Sequence, residues 1–117
     1  MLVHITTDNH IHGGENLTRD VEATVTDALG RFLPQLQRVD VHLADENSHK
    51  KTGDNDKRCT IESRLAGMQP LAASGNGANI DRAVAGALEK LIHQLDHKLG
   101  RLSDRKGRSS MGGETAD

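Results

Sequence analysis

His93 and His97 stand four positions apart, a spacing that puts two imidazoles on one helical face where they can share a metal ion. His10 and His12 offer a second pair. Gln94 occupies the place that glutamate takes in an HExxH motif, so the helix lacks the general base of a zinc hydrolase. Helical histidine pairs are often merely exposed, and no metal or other cofactor is expected. Near an anion the same imidazoles would add positive charge as the pH falls. The sequence has no GxSxG elbow, no P-loop and no dinucleotide-binding glycine pattern. Gly75-Asn76-Gly77 precedes a helical segment and reads as a turn leading into it, with an anion at the helix N-terminus as the alternative. Acid pairs such as Asp45-Glu46 fall in a polar stretch where nothing would desolvate them. No enzymatic activity is expected.

Positive charge is the stronger signal. The net charge is −2, yet from Asn79 to Arg108 seven basic residues face four acids, whereas from Met1 to Gln37 Arg19 and Arg31 face five acids. This asymmetry permits an anionic partner at the C-terminal half. Lys90 and Lys98, with Arg82 and Arg101 added on helical geometry, could track phosphates along a groove and release counterions on contact. Lys50, Lys51, Lys57 and Arg58 form a second basic group, interrupted by Asp54 and Asp56. The plainer alternatives are a solvated helix face, with cations favoured near a helix C-terminus, and an ordinary polar loop.

Composition limits how an anion would be recognised. Aromatic residues make up 1% of the chain, and Phe32 lies on an apolar stripe. Base stacking on aromatic platforms is therefore not expected, and any nucleic-acid contact would be electrostatic and shape-based. Cys59 is the only cysteine, which rules out an intramolecular disulfide and a cysteine-rich zinc site. It sits in an alternating run and reads as a small buried hydrophobe. The N-terminus lacks a signal-peptide pattern and no apolar run approaches membrane-spanning length, so a cytoplasmic location is expected.

These residues need elements to position them. Val3 and Ile5 alternate with His4 and Thr6 as in a short strand. Leu17, Val21, Val25, Ala28, Leu29 and Phe32 make a helical stripe from Glu15 to Phe32, stopped by Pro34. Val39, Val41 and Leu43 form a second strand, and a polar stretch from Asp45 to Lys57 forms a hairpin loop. Cys59, Ile61, Ser63 and Leu65 make a third strand. Residues 68–74 make a fourth, at an edge because Pro70 lacks a donor. Asn79 is a candidate N-cap for a long helix from Ile80 to about Leu102. The order β-α-β-β-β-α predicts an α+β two-layer sandwich, a four-stranded sheet with both helices on one face. The domain is expected over residues 1–103, with residues 104–117 as a flexible Gly/Ser-rich tail.

That element order, the strand CTIESRLAGMQPLAAS, the opening strand leading into TDNHI, and a final helix carrying Lys90-Leu91, Gln94-Leu95 and Lys98 together resemble the ribosome hibernation promoting factor family. The resemblance spans roughly Met1 to Leu102. It implies a double-stranded-RNA-binding-domain-like fold and non-enzymatic binding to small-subunit ribosomal RNA in the mRNA and tRNA channel. Such binding blocks translation and preserves idle ribosomes under stress or in stationary phase. Lys90 and Lys98 match the family's basic helix positions best. Neither membrane nor DNA is an expected partner, and the oligomeric state stays open. The first helix departs from the pattern, since Asp20, Glu22 and Asp27 outnumber Arg19 and Arg31. Two other classes remain: a general double-stranded-RNA-binding protein, and a metal-dependent enzyme built on the histidines.

Overall fold

The computed structural model describes residues 2–8, 11, 14–45 and 57–107, with side chains as far as Gly100. Four strands and two helices follow in the order β1 (Leu2–Thr7), α1 (Gly14–Ala28), β2 (Leu36–Asp45), β3 (Lys57–Leu65), β4 (Leu71–Gly77) and α2 (Ile80–Gly107). The sheet order is β1-β2-β3-β4. β1 and β2, joined through α1, run parallel, and the two later pairings are antiparallel. The expected α+β sandwich is therefore the observed fold, with a mixed sheet.

Period-two alternation decides which sheet face meets the helices. Val39, Val41, Leu43, Cys59, Ile61, Leu65 and Ala73 are buried in one core with Val21 and Val25 of α1 and Val84, Leu88, Leu91 and Leu95 of α2. Each large aliphatic side chain taken from water contributes about 1.5–3 kcal/mol. Ser63 is the buried polar exception, and its hydroxyl donates to the Leu71 carbonyl at 3.3 Å. The opposite face is mostly polar, with Leu2 exposed on it. There Arg38 donates from Nε to both Asp40 oxygens at 3.0 Å, and Thr6 and His42 are 2.9 Å apart.

Several boundaries differ from the sequence expectation, and β4 for one starts at Leu71 rather than at residue 68. α1 ends at Ala28, and Phe32 belongs instead to a 3-10 turn over Gly30–Gln35. Gly30 weakens the helix and Pro34 forbids its continuation, so the chain tightens while keeping Phe32 inward. β4 continues through Gly77, where residues 75–77 had suggested a turn. The reason is steric. A Cβ on Gly75 would stand 2.4 Å from the Ala87 nitrogen, and one on Gly77 would stand 2.6 Å from the Arg82 Cβ. The glycines let α2 lie directly on the strand backbone. Finally, α2 runs to Gly107, past Leu102 where the apolar periodicity ends.

Candidate nucleic-acid interface

α2 starts where the sequence placed it. Asn79 accepts the Arg82 backbone N–H on Oδ1 at 2.9 Å, satisfying one of the donors a helix leaves open at its start. Buried Ala83, Val84, Ala87, Leu88, Leu91 and Leu95 then fix its rotation on the sheet. At 100° per residue, Gln94, His97 and position 101 fall within about 40° of Lys90, and Lys98 lies about 80° round. No carboxylate occurs on this flank between Lys90 and position 101. Glu89 and Asp96 occupy the other flank, where Arg31 engages Asp96 through two hydrogen bonds of 2.7 and 2.9 Å.

That pairing divides the helix electrically. The Arg31 hydrogen bonds hold the Asp96 carboxyl below the usual carboxylate range, so it stays ionised and neutralised. Arg31 also stacks over the Phe32 ring, 4.4 Å from its centre. Asp96 is thus turned away from the basic flank and compensated.

Lys90 is exposed but anchored. Its ammonium donates to the Ser74 carbonyl at 3.0 Å, and one turn on, the Gln94 amide donates to the Ala72 carbonyl at 3.0 Å. Both carbonyls belong to the edge strand. A shallow depression of about 460 Å³ over this wall is lined by Glu89, Lys90, His93 and Gln94. Lys98 is exposed on the same helix.

The other sequence candidates fall elsewhere or beyond description. Arg82 sits at the start of α2 against Gly77, which pairs in register with Lys57. Arg82, Lys57 and Arg58 therefore share one end of the molecule. Lys57 is half-buried, with its ammonium 3.5 Å from the Asp45 carboxylate, and Arg58 is exposed on the outer sheet face. Lys50, Lys51, the side chain of Arg101, His10, His12 and residues 108–117 lie outside the described residues. Gln94 was absent from the sequence candidates because its partner is 22 positions away, at a distance no local pattern reports. Among the described residues, no three His, Cys, Asp or Glu side chains converge as a metal site requires. No helix there is long and apolar enough to cross a membrane.

The family described as Sigma 54 modulation protein / S30EA ribosomal protein matches residues 3–103. The chain belongs to this family. It is the hibernation-factor family that the sequence pattern resembles. No curated protein matches the sequence closely. A ribosomal subunit interface protein from Coxiella burnetii has a similar structure at 13% identity and TM-score 0.56, covering 88% of this chain and 98% of that one. The N-terminal domain of Protein Y from Thermus thermophilus is similar at 17% identity and TM-score 0.54, covering 87% and 99% respectively. At these identities the likeness establishes a common fold. Within it, this S30EA-family chain has acids outnumbering bases on α1, and one flank of α2 carries Lys90 and Lys98 with no carboxylate between Lys90 and position 101.

Proposed function

We propose that this protein binds small-subunit ribosomal RNA in the channel used by mRNA and tRNA, inhibiting translation and preserving idle ribosomes under stress or in stationary phase. It acts in the cytoplasm by occlusion, without catalysis or a cofactor. The observation that carries this reading is the carboxylate-free flank of α2 holding Lys90 and Lys98, in a family named for a ribosomal protein. A structural neighbour named as a ribosomal subunit interface protein supports it. Arg82, Lys57 and Arg58 at the hairpin end supply further phosphate contacts, as do Arg101, Lys50 and Lys51. With no aromatic platform exposed, recognition rests on charge and on RNA shape.

Sedimentation tests the proposal. At low salt the protein should pellet with purified small subunits and be released as salt rises. A protein that stays in the supernatant with small subunits at low salt refutes it. Equal affinity for a plain RNA duplex and for small subunits would favour a general double-stranded-RNA binder.

A further inference from the structure

The edge of β4 is chemically unlike an ordinary strand edge. In the antiparallel ladder with β3, Leu71, Ala73, Gly75 and Gly77 face their partners, as the Ser63 hydroxyl donating to the Leu71 carbonyl reflects. N–H and C=O of one residue point to the same side of such a strand, so Ala72 and Ser74 turn both groups outward. Pro70, which has no N–H, precedes the strand in the same outward phase. An open edge normally alternates donors and acceptors and templates another strand. Along residues 72–74 Lys90 and Gln94 occupy the acceptors, the carbonyls of Ser74 and Ala72, whereas Asn76 beyond them turns its own carbonyl outward.

What remains along residues 72–74 is a pair of backbone donors. The N–H groups of Ala72 and Ser74 repeat at about 6.8 Å, two strand residues. Beside them stand the ammonium hydrogens that Lys90 does not spend on Ser74, and the second amide hydrogen of Gln94. β4 contributes no charged side chain, while Glu89 lines the same depression as Lys90, about 100° round the helix from it. A donor pair of this pitch beside a cation suits an anionic polymer whose charges recur at a similar interval.

We propose that the β4 edge is a track for the phosphodiester backbone of a single RNA strand. Successive phosphates take the outward N–H groups of β4 while Lys90, held in place by the Ser74 carbonyl, neutralises the charge. The proposal rests on the RNA-binding reading above and specifies where one strand of that RNA runs. It needs no base contact, in keeping with the absence of aromatic side chains from this surface. Gln94 acts as a positioning residue, because masking the Ala72 carbonyl removes an acceptor that would repel phosphate.

Ser74→Pro and Ala72→Pro each delete one outward N–H at a position where an edge strand tolerates proline. Binding of a 12-nucleotide oligouridine and of small subunits would be measured at several salt concentrations, after thermal melts confirm which variant folds. Either folded proline variant should lose about three- to tenfold in oligouridine affinity with an unchanged salt slope, since a neutral donor releases no counterion. Lys90→Met should lose affinity and lower the slope by about 0.7. Proline variants that bind oligouridine like wild type while small-subunit binding persists would overturn the track and leave the ribosomal reading intact. Loss of a protein–protein contact with unchanged RNA affinity would also overturn it, marking the edge as a strand-pairing surface. Failure of the wild type to bind either RNA or subunits would instead refute the ribosomal reading.

Discussion

Arg31 and Asp96, 65 positions apart in sequence, meet through two hydrogen bonds that tie the turn after α1 to the middle of α2. The bidentate geometry favours the ionised carboxylate. Asp96 is held below its ordinary value of 3.8, so folded protein binds its proton less readily than unfolded chain does. Asp40 is lowered in the same way, chiefly by its hydrogen bond from Arg38. Their stabilisation is fully present above the ordinary carboxyl range and is lost as the pH falls below it. Acid titration followed by circular dichroism should show Arg31→Met unfolding at a higher pH than wild type. At neutral pH and high salt the difference in Tm should shrink, because both partners are exposed.

Charge reversal at Lys90 and Lys98 measures the basic flank directly. The Lys90→Glu/Lys98→Glu double variant should bind small subunits at least about tenfold more weakly near 100 mM salt, with a salt slope reduced by about 1.5. Lys90→Met separates charge from architecture. Losing the bond to Ser74 should cost about 1 kcal/mol or less in chemical denaturation, as for other exposed hydrogen bonds. Unchanged subunit binding by the double variant would leave the flank as solvated surface.

Gly75 is the tightest point between helix and sheet. Gly75→Ala forces a methyl onto the Ala87 nitrogen and the Ala83 carbonyl, both backbone atoms that cannot rotate away. Destabilisation on the order of 3 kcal/mol is expected, towards the top of the range for overpacked cores. Urea denaturation reads it, and Gly86→Ala, whose nearest neighbour would be 3.6 Å away, is the control.

Cys59 should be inert in the native protein. It is fully buried in the core, and burial pushes its thiol up to about 12. On the order of one part in ten thousand is then thiolate at pH 8. Labelling by a thiol reagent should be slow in buffer and rapid in denaturant, so its rate reports opening of the β3 region.

The fold was legible because both periodicities were clean. Val39, Val41 and Leu43 alternate without exception, and Val84, Leu88, Leu91 and Leu95 keep a helical face, so element order and layering followed. Polarity misled at Gly75-Asn76-Gly77. Two glycines around an asparagine carry a turn signature, and only the approach of α2 reveals them as strand residues chosen for lack of bulk. Lys90 was legible as a cation but not as a residue anchored to Ser74. Such a contact joins a side chain to a main-chain atom, and backbone atoms leave no mark in sequence. Arg31 and Asp96 escaped for a related reason, since either alone looks like an ordinary surface charge.

The parallel pairing of β1 with β2 sets a kinetic order. Every β1 residue pairs with a residue 36 positions later, whereas β2, β3 and β4 pair with their sequence neighbours, and α2 follows directly on β4. Closing that long loop costs more entropy than zipping adjacent hairpins. β1 also brings little apolar burial, with Val3 and Ile5 half-buried and Leu2 59% exposed. Amide exchange should find β1 the least protected strand and the β3–β4–α2 unit the most. β1 is then the part of the sheet that opens first, so the weak edge of the molecule lies across the sheet from the strand that carries the cationic helix.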